Sequence, residues 1–468
     1  MKHPFYLHDS KARAKVPFEP EFAGQARIYL CGPTVYDEAH LGHARSAISF
    51  DLLRRTLSAL GYAVQFARNV TDVDDKIIKK MADTGQTLPK LTGFYADRYH
   101  ADMAALNVLP PDIEPKATGH IAPMIALVQN LLDRGCAYRA DNGDIYFDTA
   151  KDAAYGSTSG ETQDEVLSRV AGDQKKNARD FVLWKAAKAD ESVVFESPFG
   201  LGRPGWHLEC SAMVQSHLWR ENAKYACDIH AGGADLFFPH HENEAAQTRC
   251  GYGVEIARHW MHNGFVRIDG EKMSKSLGNS FFIKDALLHF PGEALRFYLM
   301  SIHYRAGLNY NDQDLHAAKK RLDRLYRLKK RLDAAAGEAQ ADFKNDLLEA
   351  MADDLNISKA LAAVDEMVGH INDALDKNPK DKALKAAAAG NLALIQNVLG
   401  VGFADPYEWF QWGVDGAEKV RIESLIAARA EAKAAKDYVR ADEIRGELMA
   451  MGVALMDIPG RTVWEKSL

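Results

Sequence analysis

Two imidazoles three residues apart, in His40-Leu41-Gly42-His43, are the first side chains of the sequence whose spacing suits chemistry. At a helix start, unpaired backbone N–H groups and the positive end of the dipole favour a phosphate, and Gly42 lets a ligand approach the backbone closely. Both rings then reach one face of that anion. About 230 residues further on, Lys272-Met273-Ser274-Lys275-Ser276-Leu277-Gly278-Asn279 follows a β-prone run and an Asp269-Gly270 turn. Two lysines on such a Ser/Gly-rich loop can be brought onto triphosphate oxygens as charge develops, which is electrostatic rather than covalent catalysis. Each motif alone also has a plainer reading, as capping or surface histidines and as a solvated basic turn.

A second chemistry is written in sulfur, nitrogen and carboxylate ligands. Cys31 closes an apolar run, Cys210 sits in Gly205-Trp206-His207-Leu208-Glu209-Cys210-Ser211-Ala212-Met213, and His240 and Glu244 are four apart, on one face of a helix. Two thiolates, an imidazole and a carboxylate form a zinc-type donor set, although a single cysteine after an apolar strand is usually core. The five cysteines, Cys31, Cys136, Cys210, Cys227 and Cys250, are odd in number and widely spaced, unlike a disulfide framework. Asp235, after a Gly-rich bend, suits either ribose hydroxyls or a helix cap. His230 and His241 are pocket residues or partners of metal ligands.

The elements that must position these groups alternate in type. Residues 27–31 read as a strand stopped by Gly32-Pro33, and apolar positions 48, 52, 53, 57 and 60 give a helix ending at Gly61. A second strand over Ala63–Arg68 and a helix over about 74–82, ending near Gly85, continue the pattern. That alternation predicts an α/β fold with a parallel sheet. Residues 121–134 read as a helix, and Asn142-Gly143 as the two-residue turn of a hairpin within an insertion. Residues 151–180 read as an irregular loop region. Residues 225–230 read as a strand, and a helix is expected to begin near Pro239, whose fixed φ suits a first turn. Rising Ala, Leu and Lys content over 315–399 predicts a helical bundle, followed by a helical stretch or pair over 416–450 and a terminal hairpin around Pro459-Gly460.

Composition bounds these readings. The 468 residues are 47% hydrophobic and 26% charged, which excludes collagen-like, mucin-like and wholly disordered chains and leaves room for several domains. With a net charge of −7, any nucleic-acid contact must rest on local basic patches. Neither a signal-type N-terminus nor an apolar run of about 18 residues is present, so a cytoplasmic protein without membrane contact is expected. Gly200-Leu201-Gly202-Arg203-Pro204-Gly205 spells a dinucleotide fingerprint, but Pro204 lacks an N–H and disfavours the helix that fingerprint needs. The run 319–331 holds eight basic residues and one acid, which suits either a solvated bundle face or a track for RNA phosphates.

The histidine and lysine motifs, in this order on an α/β chain, resemble the signature pair of class I aminoacyl-tRNA synthetases. Cys31-Gly32-Pro33-Thr34-Val35-Tyr36-Asp37, Asn69-Val70-Thr71-Asp72-Val73-Asp74-Asp75-Lys76, residues 205–213, Phe238-Pro239-His240-His241-Glu242-Asn243-Glu244 and Ala441-Asp442-Glu443-Ile444-Arg445 resemble segments of the cysteinyl-tRNA synthetase family, over essentially the whole chain. The resemblance implies a Rossmann-like catalytic domain over 1–125 and 206–280 and an inserted connective region over 126–205. It further implies a linker fold and helical bundle over 281–405 and an anticodon-binding domain over 416–468. One Zn²⁺ per chain is implied on Cys31, Cys210, His240 and Glu244, with the substrate thiolate as an added ligand. Also implied are ATP with Mg²⁺ at His40, Gly42, His43, Asp235, Lys272 and Lys275, L-cysteine at Thr71 and Trp206, and tRNA(Cys) as partner of a monomer. Tyr438, Asp442, Asp457 and Trp464 are the candidates for RNA contact, through stacking faces and base-accepting acids. Ala231-Gly232-Gly233-Ala234-Asp235 departs from the family's common Gly-Gly-Gly-Ser-Asp. Two other readings stand beside this one. A cysteine ligase of mycothiol synthesis shares the catalytic core but lacks the anticodon domain, and an inactive zinc-containing RNA-binding paralogue would not need the two motifs.

Overall fold

A computed structural model describes residues 3–160, 175–189, 191–268, 271–272, 281–332, 335–458 and 460–466. A hairpin of β1 (Tyr6–Asp9) and β2 (Ala14–Pro17) precedes β3 (Gln25–Leu30), α1 (Leu41–Ala59) and β4 (Ala63–Arg68). β3 and β4 are parallel, with Ile28 opposite Phe66. α2 (Asp75–Thr84) ends where Gly85 takes a left-handed conformation (φ 67°) and its N–H returns to the Met81 carbonyl. α3 (Leu88–Ala105) and α4 (Ile121–Asp133) lead into an antiparallel inserted sheet of β5 (Ala137–Arg139), β6 (Ile145–Phe147), β7 (Phe181–Ala186) and β8 (Gly202–Pro204). The turn in this insertion corrects the sequence reading. Ala140 and Asp144 close a three-residue loop, because Gly143 (φ 88°) follows a turn closed by its own N–H on the Ala140 carbonyl.

The chain returns to the main sheet through α5 (Trp206–His217), β9 (Tyr225–Gly233), α6 (Glu242–Tyr252) and β10 (Glu255–Asn263). The order is β10-β9-β3-β4 with all neighbours parallel, so the expected parallel α/β sheet is present. Successive strands leave β3 in opposite directions, and the gap between β3 and β9 is the switch point where such sheets take ligands. Ile28 and Leu30 pack with α1 on one face while Tyr29 and Trp260 pack with α5 on the other, which is why Ile28-Tyr29-Leu30 reads as an unbroken apolar run. α6 is entered through a helical turn over Phe237–His241, so the helix start expected near Pro239 is present. Phe238 is extended (φ −135°, ψ 135°), as the residue before a proline prefers, and the Phe238–Pro239 bond is cis.

After β10 come β11 (Val266–Ile268), β12 (Glu271–Lys272), α7 (Ile283–His289), α8 (Gly292–Met300) and β13 (Leu308–Tyr310). The segment following the lysine motif is stitched to the histidine motif: Leu41 N–H meets the Phe281 carbonyl (3.1 Å) and Ile283 N–H the Ala39 carbonyl (2.9 Å). The bundle is α9 (Asp312–Lys330), α10 (Ala341–Ala352), α11 (Ile357–Lys377) and α12 (Lys382–Leu399). Within the basic run, Lys319 and Arg321 pair with Asp323 and Asp365, Lys330 and Arg331 with Glu465 and Asp376, and Lys329 donates to the Gly402 and Ala404 carbonyls. Most of its charge therefore serves the protein's own packing.

α1 is tied to its surroundings by buried charge. Arg45 donates to the Ile302 and His303 carbonyls (3.0 and 2.8 Å) just past α8. Asp51 accepts from Arg55 (2.7 Å) and Arg296 (2.6 Å), and Arg296 in turn reaches the Leu399 carbonyl at the end of α12 (2.9 Å). Burial pushes the Asp51 carboxyl up, but Arg296 and Arg55 outweigh it and hold the group below its ordinary range. Beyond a one-turn α13 (Pro406–Trp409), α14 (Gly416–Ala434), α15 (Tyr438–Ala450) and the hairpin β14 (Val453–Ile458) and β15 (Arg461–Lys466) close around their own core of Ile422, Ile444, Leu448, Val453 and Trp464. Among the described residues, no helix is long and apolar enough to cross a membrane.

Candidate active site and metal-ligand cluster

A cleft of about 530 Å³ opens at the carboxyl ends of the parallel strands. Cys31, His40, Gly42, His43, Trp206 and Asp235 all line it, so residues far apart in sequence meet there. His40 caps α1. Its Nδ1 accepts the Gly42 N–H (3.1 Å), and the His43 Nδ1 accepts the His40 N–H (3.1 Å). An imidazole that accepts at Nδ1 carries its proton on Nε2 when neutral, so both rings keep a donor at the far edge. The rings stack with centroids 3.9 Å apart. Gly42 leaves room for the capping ring, because a Cβ there would stand 2.8 Å from the His40 ring. Of Lys272 only the backbone is described, and it pairs with Arg267; Lys275 lies outside the described residues.

At the inner end of the cleft, Cys31 just after β3, Cys210 on α5, His240 just before α6 and Glu244 on α6 bring one donor atom each to within 4.8 Å of one another. The two sulfurs are 3.9 Å apart, Glu244 Oε1 is 3.8 Å from Cys31 Sγ, and His240 Nε2 is 2.9 Å from the same oxygen. These four are placed to hold a metal ion. Cys31, Glu244, His230 and His241 form an overlapping group. There, however, His230 Nε2 holds Glu244 Oε2 (2.7 Å), and His241 Nδ1 engages His262 Nε2 (2.8 Å).

The electrostatics follow from this crowding. Burial pushes Glu244 up, but His230 and His240 overcome it and bring the carboxyl down to about 2. Burial works against protonation of His240, yet Glu244 and Cys210 raise it to about 10. Burial and Cys210 push the Cys31 thiol up, whereas the hydrogen bond from Cys31 draws Cys210 down to about 6. Burial, reinforced by neighbouring imidazoles, pushes His207 and His262 down to about 3 and His241 well below its ordinary range. A buried carboxylate paired with His240, one easily ionised thiol and the uncharged rings of His207, His241 and His262 make a pocket of concentrated donor atoms.

Other sequence candidates fall into separate groups. Trp206 is 39% exposed and stacks on His240 (4.2 Å between centroids). Thr71 is buried, donates to Glu209 Oε2 (3.2 Å) and is not among the cleft-lining residues. Asn69 joins the same network: its side-chain oxygen accepts the Gly32 N–H (2.8 Å), and a Cβ at Gly32 would stand 1.6 Å from the Asn69 carbonyl oxygen. Tyr36, Arg68, Lys76 and Tyr99 line the cleft although sequence reading gave them no role; the only signal was that Tyr36 and Lys76 lie in segments with a family likeness. In the C-terminal unit, Tyr438 and Asp442 are exposed. Trp464 is corrected, since its ring is core at 3% exposure and offers no stacking face. Asp457 is exposed, with its carboxylate held by Arg429 (3.0 Å) and Lys433 (2.8 Å).

Residues 17–320 match the model of the tRNA synthetases class I (C) catalytic domain, 347–404 the DALR domain, and 417–464 the cysteinyl-tRNA ligase anticodon binding domain. The chain is 55% identical to the cysteine–tRNA ligase of Nitratiruptor sp. over 462 residues, covering 98% of this chain and 99% of the relative. The chain belongs to the cysteinyl-tRNA synthetase family. Another family member, the cysteine–tRNA ligase of Sulfurimonas denitrificans, is 56% identical, with 98% of this chain and all of the relative covered. The class I synthetase fold is also seen in Mycobacterium tuberculosis methionyl-tRNA synthetase in complex with methionyl-adenylate: TM-score 0.58, 18% identity, 80% of this chain and 92% of that one.

Proposed function

We propose that the chain activates L-cysteine with ATP to cysteinyl-adenylate and transfers the cysteinyl group to the 3′ end of tRNA(Cys), acting as a cytoplasmic monomer. The observation that carries the cysteine-specific part is the two-sulfur cluster at the inner end of the cleft that also holds the histidine motif. Thiolate sulfurs on a tetrahedral zinc, at Zn–S of about 2.3 Å, stand roughly 3.8 Å apart. The Cys31–Cys210 separation of 3.9 Å fits that spacing without rearrangement.

Zn²⁺, when bound, supplies a soft Lewis-acid bond that a thiolate makes and an alcohol does not match, which separates cysteine from serine where pocket shape gives little. Cys31, Cys210, His240 and Glu244 hold it, His230 fixes the second Glu244 oxygen, and Trp206 covers the His240 face of the substrate pocket, with Thr71 contributing behind the cleft wall. Mg²⁺ accompanies the ATP phosphates. The cysteine carboxylate attacks the α-phosphorus and pyrophosphate leaves. The Nε2 protons of His40 and His43, with Lys272 and Lys275, stabilise the growing phosphate charge, and no protein nucleophile is required. Asp235, at the end of β9, accepts from the ribose hydroxyls. The terminal 2′-hydroxyl of the tRNA then attacks the acyl carbon of the adenylate, and AMP leaves.

The domains divide accordingly: 1–125 with 206–280 for adenylate chemistry, 126–205 as the connective insertion, 281–405 as linker and bundle, and 416–468 for the anticodon, with Tyr438 and Asp442 as surface contacts. The match over 417–464 favours this reading over the amino-sugar ligase, which lacks an anticodon domain. Cysteine-dependent ATP–pyrophosphate exchange tests it, with serine as the control and zinc measured alongside. Exchange with cysteine alone at about one zinc per chain is expected. Equal exchange with serine, or none with cysteine, overturns it.

A further inference from the structure

Two imidazoles that serve neither the cleft nor the sulfur cluster face each other on a separate part of the molecule. His120 ends the single turn Ala117–His120 that leads into α4, and His217 is the last residue of α5. Their Nε2 atoms stand 2.7 Å apart, and the rings meet at 63° with centroids separated by 4.9 Å. Both residues are half-buried, so neither is closed off from solvent. The seven residues from Cys210 to His217 correspond to about 10 Å of helix, which sets the pair apart from the metal-ligand cluster.

The surroundings fix how the two rings are protonated. His120 occupies the N-cap position of α4, yet its side chain caps nothing there. Its Nδ1 lies instead 2.7 Å from the Lys116 carbonyl oxygen. A carbonyl only accepts, so Nδ1 carries the proton and the neutral ring presents Nε2 as a bare lone pair. His217 then supplies the one hydrogen between the rings. Burial and the facing His120 ring push His217 below its ordinary range, which keeps that ring uncharged at neutral pH. The turn itself is pinned to the segment after β4, with Ala117 N–H on the Val70 carbonyl (3.2 Å) and Thr118 N–H on Asp72 (2.9 Å). Two imidazole nitrogens are thus aimed at one point from a held frame, and one ring is oriented by a backbone carbonyl as metal-binding histidines are.

Two such nitrogens on one ion, each at about 2.05 Å, lie about 2.9 Å apart when they are cis at 90° and about 3.3 Å apart at the tetrahedral angle. From 2.7 Å, the first arrangement needs an opening of about 0.2 Å and the second about 0.6 Å. We propose that His120 and His217 form a second metal site, taking a divalent transition ion that prefers nitrogen ligands at right angles, of the Ni²⁺ or Cu²⁺ class, with water in its other positions. The ion takes the place of the shared hydrogen. His217 exchanges its Nε2 proton for one on Nδ1 through water, and His120 keeps the tautomer it already has. The bound ion ties the end of α5 to the turn before α4 and depends on neither the thiolates nor the substrate.

The test uses full-length protein with one equivalent of Zn²⁺ present to fill the sulfur cluster, titrated with Ni²⁺ in a calorimeter. One equivalent of Ni²⁺ is expected to bind without a sulfur-to-nickel charge-transfer band. His120→Gln and His217→Gln are each expected to weaken that binding by at least about tenfold. His370→Gln, which removes an exposed histidine of α11, is expected to change nothing. A merely structural contact between the rings would lower the melting temperature of the first two variants and leave nickel uptake as it was, which overturns the proposal. Uptake accompanied by a sulfur-to-nickel band overturns it too. If neither variant folds, wild-type protein is labelled with diethylpyrocarbonate and read by peptide mass mapping. Ni²⁺ is then expected to slow labelling of His120 and His217 several-fold and to leave His370 unaffected; protection of all three, or of none, counts against the site.

Discussion

The metal-ligand pocket and the C-terminal unit spend their polar and aromatic side chains in opposite ways. In the pocket, four candidate ligands come from the end of β3, from α5 and from the start of α6, and the imidazoles of His230 and His241 are buried beside them. In the C-terminal unit the largest aromatic is the core, and Asp457 lies in a pairing with Arg429 and Lys433 in which both Asp457 and Lys433 are largely solvent-exposed. The difference teaches where residue type carries functional information. Burying charged and polar groups costs several kcal/mol unless partners or a ligand compensate, so a cluster of them demands an explanation. Exposed ion pairs cost almost nothing to keep, and a unit of about fifty residues needs its tryptophan inside.

The contrast is broken most directly in the pocket. Cys210→Ser is expected to lower zinc content and cysteine-dependent pyrophosphate exchange together, by about a hundredfold or more in activity, because the serine oxygen is a poor soft ligand. Full zinc occupancy with normal exchange would remove Cys210 from the cluster and leave the pocket no different in kind from the surface pairs.

Deleting the chain from Asp415 onward is expected to spare pyrophosphate exchange within a few-fold while reducing tRNA charging by about ten- to a hundredfold, since the deleted unit has its own core. Charging at the full-length rate would make the unit a structural cap. Within the unit, Trp464→Ala is expected to cost about 3–5 kcal/mol in its unfolding. Tyr438→Ala is expected to leave stability within about 0.5 kcal/mol but raise the KM for tRNA several-fold. Calorimetry and charging kinetics separate the two; a stable Trp464→Ala protein contradicts the core assignment.

The smallest effect sharpens the contrast. Arg429 and Lys433 hold the Asp457 carboxyl well below its ordinary range through direct hydrogen bonds. Its stabilisation is therefore present above the unfolded carboxylate value of about 3.9 and is lost as pH falls from there towards the depressed folded value. Because the side chain is half exposed, Asp457→Asn is expected to cost less than about 1 kcal/mol at neutral pH, less still in high salt. A larger, salt-independent loss in denaturant titrations would place this pair with the buried networks.

How much of this was legible follows the same division. Ala63–Arg68 and the Gly85 helix stop were readable because strand alternation and a left-handed glycine are local signals. The Asn142-Gly143 loop length was not, since whether glycine sits in a two-residue turn or closes a three-residue one depends on the register of Ala137 against Phe147. The helical turn around Pro239 was readable because the ring's fixed φ suits a first turn, whereas the extended Phe238 that sets it off was not. The basic run could not be resolved from sequence because its partners, Asp365, Asp376 and Glu465, come from other elements. At the site, Cys31, Cys210, His240 and Glu244 were identified as a donor set, whereas the long-range contacts of His230 and Tyr29 needed the sheet register to appear.

One buried contact set bears on how the two halves of the molecule can move. Arg45 sits two residues after His43, and its guanidinium closes backbone carbonyls just beyond α8, while Arg296, held by Asp51, closes the last carbonyl of α12. Sliding the end of α12 away from α8 would strand the Leu399 carbonyl in a dry interior, a penalty of about 1–3 kcal/mol. The histidine end of α1 and the far end of the bundle are thus geared together as one rigid lever, so a pull on either arm is felt at the other before any bond along it gives way.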